Sequence, residues 1–549
     1  MKLSALTVSF GLWLCISGAT AFAGGLLLPG SGAVSTARAG TGVASTEGGE
    51  ALSLNPAGLA KSKGWTITIG AALIDYSMSF QRNGTYDTHD LDAEPYEGQR
   101  YAVIENDAKP PLGIGPYQPI PVIALTTDLG GRVPGLTLGI GLTAPNAYPF
   151  RNMNKTTGGN AYYVENSRGG LSFPTTFNDP PPPTRYDIIE QEGAVVLPSV
   201  GASYSITPEV DVGARFSAGF AQVKSSVAIW GEGANYNEYI KKDGVFTLEA
   251  KDNFVYAWAL GVAYRPAPTI EIGAQYTSQI DVSAKGDAVS ETGSGLNPPI
   301  MVFPSGAVRC AAGGTAEKLK GCVEFALPMT ATVGARYKFL GETGAMKGDL
   351  ELNVDWQHWG AERTSKYRVV VDAQAAPVGL PDNGIDLKDN IVDHGLRDTF
   401  GVRLGGSWNF PAGANTVVAR GGVGYETAAA KPGWERADVD GAARTLVTVG
   451  GSYKLSKVSI DLGFGYVYEG TRTDSRTCNP ILTDQDPAMP GIQYQGCGPN
   501  GEQQPLADRQ GPSPINPVVN SDQQLENPVN EGTFKSHYLL FMVGMSTWF

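Results

Sequence analysis

The sequence predicts an all-β fold: a transmembrane antiparallel β-barrel of about fourteen strands with a small N-terminal hatch plugging its lumen. Three observations predict it. Apolar side chains recur at every second position through most of the chain. The segments between the alternating runs sort by length, short and long in strict succession. The chain ends on an alternating strand whose last residue is Phe549.

The chain opens with an address. Lys2 supplies a positive start, Leu3 to Gly18 is mostly apolar, and Ala21-Phe22-Ala23 has the small-x-small form of a cleavage site. Residues 1–23 therefore read as a signal peptide, residues 24–64 as the hatch, and residues 65–549 as the barrel. Cys15 lies in the discarded stretch. No later run reaches about 18 apolar residues, which excludes a transmembrane helix.

Alternation starts at Trp65, Ile67, Ile69 and Ala71. Val210, Val212, Ala214 and Phe216 share one parity, against Asp211, Gly213, Arg215 and Ser217 on the other. Val458 to Tyr468 repeats the pattern with Ser459, Asp461, Gly463 and Gly465 opposite. A period of two is a strand with one apolar face. Such segments fall near 65–80, 119–128, 136–149, 189–206, 209–229, 253–265 and 269–285. The later ones fall near 323–339, 348–370, 396–410, 416–428, 444–455, 457–469 and 534–549. Short connections (Thr207–Pro208, Pro266–Pro268, Ser456) alternate with long ones (Gln81–Gln118, Phe150–Ile188, Gly470–Thr533), as the two sides of a membrane barrel require. This sorting puts both termini in the periplasm and the retained cysteines in external loops.

Composition narrows the function. A formal charge of -13 and a pI near 4.9 argue against a nucleic-acid partner. Cys310, Cys322, Cys478 and Cys497 are an even set in an exported chain and read as disulfides. The local pairs Cys310–Cys322 and Cys478–Cys497 are the simplest of three connectivities. Ligand spacing for a metal is missing, and no cofactor motif occurs. Asp393-His394 could orient an imidazole, but no serine motif accompanies it, so the chain reads as no enzyme and its histidines as surface groups.

Residues Gly24–Lys63 do not alternate. They are rich in Gly, Ala, Ser and Thr, and small side chains allow close packing against a wall. A ring of about fourteen strands leaves a lumen that would leak unless such a segment filled it. The run Ala37-Arg38-Ala39-Gly40-Thr41-Gly42-Val43-Ala44, followed by Leu54-Asn55-Pro56-Ala57-Gly58-Leu59, resembles the hatch of the FadL-like long-chain fatty acid outer-membrane transporters, a family that includes aromatic-hydrocarbon transporters. Asn55, Pro56, Ala57 and Arg38 carry the resemblance. Two features depart from the family pattern. Glu47-Gly48-Gly49-Glu50 stands where an acidic pair is usual, and Leu26-Leu27-Leu28-Pro29 replaces a more polar opening.

The resemblance implies passive transport of long-chain fatty acids or similar hydrophobic molecules, captured in an apolar pocket and released sideways through a kink in the third strand. It implies an outer-membrane location, with lipid and lipopolysaccharide around the barrel. The terminal Phe549 is similar to the signal read by the barrel-assembly machinery. Pro145 and Asn146 lie in the predicted third strand, and proline cannot donate to a ladder, so a break is expected near Ala144–Ala147. The competing reading ends the strand at Thr143. Arg215, Arg336, Arg403 and Arg420 fall on the inward parity and are candidates for a ligand carboxylate. Glu271, Glu351 and Asp355 share that parity, so an internal salt-bridge ladder is the plainer reading for any one of them. A non-specific porin, an outer-membrane lipid hydrolase and an adhesin remain as rival functions.

Overall fold

A computed structural model describes residues 25–88, 93–229, 238–296, 299–381, 384–387, 389–431, 434–439, 441–474 and 532–549. The signal-peptide reading and the Cys478–Cys497 pairing fall outside these residues.

Fourteen antiparallel strands close into a ring. They are β1 (Trp65–Arg82), β2 (Gln118–Thr127), β3 (Leu136–Thr143), β4 (Glu190–Ser205), β5 (Val210–Ile229) and β6 (Gly244–Ala267). Four more are interrupted: β7 (Ile270–Thr277, Ile280–Thr292), β8 (Leu319–Leu327, Thr330–Leu340), β9 (Met346–Gln357, Lys366–Val371) and β10 (Asn390–Asp393, Thr399–Ala412). The last are β11 (Asn415–Glu426), β12 (Arg444–Lys454), β13 (Val458–Asp474) and β14 (Gly532–Trp548). Closure is made by β14 on β1, in register from Thr66 opposite Trp548 to Arg82 opposite Gly532. A closed ring leaves no sheet edge, the condition for strands in lipid.

Period-two patterning survives in three dimensions. On β5, Arg215 and Ser217 are buried while Phe216 is exposed. On β14, Phe541, Val543 and Met545 face outward, and Tyr538, Leu540 and Met542 face in. Outward apolar side chains in a membrane wall face acyl chains rather than water. The short turns lie at one end of the barrel, together with Trp65 and Phe549, whose backbones exchange two hydrogen bonds of 2.9 and 3.0 Å. At the opposite end β6 starts at Gly244 and β7 runs to Thr292, well past the boundaries read from apolar alternation. There the parity inverts across a bulge between Asp252 and Val255: Phe246, Leu248, Ala250, Val282 and Ala284 are buried inside, while Glu249, Lys251, Ser283 and Lys285 face outward.

At that far end two loops pack together. Cys310 and Cys322 form a disulfide that ties a loop to the start of β8. The segment between β11 and β12 folds inward, burying Ala428, Ala429, Ala437, Ala442 and Ala443. One sequence reading is corrected here. His394 is buried, not a surface group: Tyr367 packs on its ring, its Nε2 lies 2.9 Å from Asp438, and its Nδ1 lies 3.3 Å from the Ser365 carbonyl. Asp438, not the adjacent Asp393, is its carboxylate partner, and both ring nitrogens are occupied.

Candidate functional site: hatch, chamber and wall gap

Residues 25–64 lie inside the ring as short helical turns joined by extended links. The wall makes room for them with inward glycines. A Cβ at Gly213 would overlap the backbone of Ala57, one at Gly261 the Asn55 amide, and one at Gly405 the carbonyl of Arg38. In a strand glycine packs poorly, and here it marks the close approach of another backbone.

Asn55 organises the Asn-Pro-Ala triplet. Its Oδ1 accepts from the Ala57 N–H at 3.1 Å, capping the turn Pro56–Lys61, where proline suits the first position. Its amide donates to Val43 at 2.6 Å and to Val262 on β6 at 3.1 Å, so one side chain joins two parts of the hatch to the wall. Arg38 is buried and donates to Asp349 at 2.7 Å, Glu351 at 3.3 Å and Ser407 at 2.7 Å. Glu351 also accepts from the Ala44 N–H at 3.0 Å.

The four wall arginines divide. Arg336 pairs with Glu271 at 2.7 Å and Asp349 at 2.9 Å. Arg403 pairs with Asp355 at 2.8 Å, and Arg420 lies 3.8 Å from Asp461. Arg336 shares Asp349 with Arg38 and Glu271 with Lys61 and so joins wall to hatch, while Arg403 and Arg420 pair with carboxylates of the wall. Arg215 is buried too, but its described partner is the Leu52 carbonyl at 2.7 Å, and its Nε has no hydrogen-bond acceptor among the described residues.

Beyond the hatch the barrel's inner chamber is filled by a packed apolar, aromatic-rich cluster. Tyr76 stacks on Tyr538 and Phe80 packs on Phe534, each with centroids 4.3 Å apart. Met78, Tyr148, Phe150, Leu540, Met542 and Leu28 of the hatch complete the cluster. The Arg151 guanidinium sits 4.3 Å from the Tyr76 centroid and donates to the carbonyls of Tyr148, Phe150 and Ala437.

Beside the chamber the wall is broken. β3 pairs with β4 from Leu136 to Thr143, leaves it, and pairs again at Arg151 and Asn152. The break is wider than the four residues expected from Pro145: it spans 144–150. On its two sides, Gln118–Val122 of β2 and Glu192–Val196 of β4 have no ladder partner facing the break among the described residues. The hatch tip docks in it. Leu28 donates to the Asn146 carbonyl at 2.6 Å, and the Asn146 amide lies 3.2 Å from the carbonyls of both Pro29 and Gly30. Here a narrow cleft is lined by Ser31, Leu52 and Ser53 of the hatch, Ile120–Ala124 of β2, and Thr143, Ala144 and Asn146. Pro145 and Asn146, singled out from the sequence, both lie within the break. The sequence did not join to this site Thr143, Ser199 and Ser217, whose hydroxyls run in line into the wall at 2.9 and 2.7 Å. Small polar side chains on inward parity were the available signal.

A closed outer-membrane-type barrel with an internal plug and an interrupted wall is the architecture of a channel-type protein. The chain belongs to the outer membrane transport protein family OMPP1/FadL/TodX, whose model matches residues 14–486. Its members are outer-membrane transporters of hydrophobic compounds. The structure is similar to that of a Pseudomonas aeruginosa FadL homologue (TM-score 0.60, 12% identity, 96% of this chain and 100% of that one). It is similar also to the Pseudomonas putida toluene transporter TodX (TM-score 0.55, 15% identity, 95% and 99%). A third likeness is to the Ralstonia pickettii toluene transporter TbuX (TM-score 0.51, 16% identity, 95% and 99%). At these identities the likeness concerns the fold. No curated protein sequence matches the chain.

Proposed function

We propose that this protein carries long-chain fatty acids, or molecules of similar apolarity, passively across the outer membrane and releases them sideways through the gap at 144–150. The observation that carries this reading is the wall break itself, where the cleft, the hatch and the interrupted ladder meet. A polar pore would need water along its length, whereas the chamber beside this gap is apolar and aromatic. A greasy ligand gains about 25 cal/mol for each Å² of apolar surface it keeps from water, and a lateral exit into acyl chains keeps that gain throughout.

In this reading the end bearing Trp65 and Phe549 is periplasmic and the disulfide-tied loops are outside. Arg215 is the candidate partner for a carboxylate, because the other three arginines already hold Asp or Glu. Asn55, Pro56, Ala57 and Arg38 hold the plug, and Pro145 and Asn146 shape the exit. The test is to replace residues 144–147 with a regular alternating strand sequence and measure uptake of labelled oleate and of toluene by intact cells. Loss of uptake with a normally folded barrel supports lateral release; undiminished uptake refutes it. If Arg215→Gln slows oleate but not toluene, the ligand head group meets that arginine.

A further inference from the structure

Between β1 and β2, beside the gap, the chain leaves the wall in a segment with an exposed apolar apex. Above the gap, residues 103–105 pair with β1 at Ser79 to Gln81, and Asn106 donates to the Met78 carbonyl at 2.9 Å. β2 starts only at Gln118, opposite Ile74. Residues 107–117 are therefore spent between two points a few residues apart along β1. Ala108 points into the chamber cluster. The rest forms a compact turn, closed by the Gly113 N–H on the Pro110 carbonyl at 2.8 Å. At its apex Leu112 is 82% exposed and Ile114 is 69% exposed, the highest values of any large apolar side chains in the described structure.

The height of this apex follows from the register. On β14 the outward side chains are apolar through Phe541, Val543 and Met545 and become polar at His537 and Lys535. His537 lies opposite Ser77 of β1, three residues beyond Ile74. The excursion therefore leaves the wall at the upper border of the lipid-facing belt. Lys109 and Tyr117 flank its apolar apex, the residue types that sit at a membrane–water interface. The Tyr148 hydroxyl, in the middle of the wall break, donates to the Pro116 carbonyl at 2.8 Å and ties the excursion to the gap.

We infer that residues 109–117 form a lip inserted into the outer leaflet, with Leu112 and Ile114 among its acyl chains, over which a ligand leaving the gap passes into lipid. Insertion stands on the geometry above; the part in release rests on the lateral reading. Free energy favours it, since an apolar apex continuous with the lipid belt is stabilised by acyl chains and destabilised by water.

The test separates the two. A nitroxide is placed at Leu112→Cys in the full chain, in a background with Cys478→Ala and Cys497→Ala, reconstituted in vesicles with lipopolysaccharide in one leaflet. Ile385→Cys, exposed on an external loop, is the reference. Collision with oxygen should exceed collision with a water-soluble nickel chelate at 112, and the order should reverse at 385. Chelate-dominated collision at 112 overturns the insertion. Next, Leu112→Asp with Ile114→Asp should slow oleate uptake several-fold while oleate binding in detergent stays unchanged. Unchanged uptake in that variant overturns the role in release, even where the gap-closing variant abolishes transport.

Discussion

Replacing Arg38 with methionine tests whether the hatch is held by charge or by shape. Arg38 joins the hatch to β9 and β10 through Asp349 at 2.7 Å, Glu351 at 3.3 Å and the half-buried Ser407 at 2.7 Å, with both ion pairs out of water. Methionine keeps much of the volume and removes the cation. Removing one partner of a buried pair costs about 3–5 kcal/mol, because the other charge stays behind unpaired. The lower end applies here. Asp349 keeps Arg336 at 2.9 Å, and Glu351 keeps the Ala44 N–H at 3.0 Å. Barrel closure does not involve Arg38, so the loss falls on hatch docking. About 3 kcal/mol is a factor of about 150 in the undocked fraction. Single-channel recording in planar bilayers reads that fraction: rare openings in the parent should become about a hundred times more frequent in Arg38→Met. Adding Glu351→Gln should restore part of the loss by removing the stranded carboxylate. Unchanged opening statistics, with normal heat-modifiable mobility of the barrel, would refute the ionic account.

Other consequences can be checked with the same preparations. Gly261→Leu places a side chain where the Asn55 amide lies. Overpacking of that kind costs about 1–3 kcal/mol, and limited proteolysis should cut the hatch faster without unfolding the barrel. Asn146→Ala removes the amide that lies against Pro29 and Gly30. Hydrogen exchange at Leu28 and the residues after it should speed up several-fold, while the amides of β13 and β14 stay protected. The loop cluster around Asp243 should depend on pH. Burial pushes that carboxyl up to about 7 despite Arg185 at 3.1 Å and the Tyr186 hydroxyl at 2.7 Å. The folded form then holds a proton that the unfolded chain releases near its ordinary value of 3.8. The stability contribution is full below about pH 4 and is lost as pH rises through about 7. Hydrogen exchange near Tyr186, corrected for intrinsic rates, should show less protection at pH 8 than at pH 5, and Asp243→Asn should remove the difference.

Most of the barrel was legible in the sequence because lipid on one side enforces a strict period of two. Arg215 beside Phe216 shows how sharp the rule is: one step along β5 separates a buried cation from an exposed ring. Legibility failed where that constraint lapses. β6 runs back to Gly244 past a bulge at Asp252–Val255 that inverts its parity, so that Phe246, Leu248 and Ala250 pack inward and the outward face turns polar. The inward fold of the β11–β12 loop was hidden because its run of alanines has no period. His394 was misread because its partner, Asp438, is 44 residues away. Among the site residues, inward parity named all four arginines equally. Only packing distinguishes Arg215, since pairing depends on which carboxylates the neighbouring strands bring alongside.

The wall break and the hatch tip explain each other. A strand that leaves its ladder within a membrane wall exposes N–H and C=O groups that lipid cannot satisfy, and each such group costs several kcal/mol. Pro145 already lacks a donor, so the break is placed where the loss is least. Leu28 N–H meets the Asn146 carbonyl, and Leu27 forms a bridge with Ala147. The hatch tip thus supplies to the broken strand the pairing that β2 and β4 have given up. A gap sealed by the plug rather than by the wall can be unsealed without opening the barrel: only the tip has to move. The apolar opening Leu26-Leu27-Leu28 suits this arrangement. Leu28 packs in the chamber, and Leu26 and Leu27 pack against Trp359 and Leu396. A hydrophobic ligand entering the chamber competes for the same apolar surface that holds the tip, so occupancy of the chamber and release of the gap are linked through one short segment of chain.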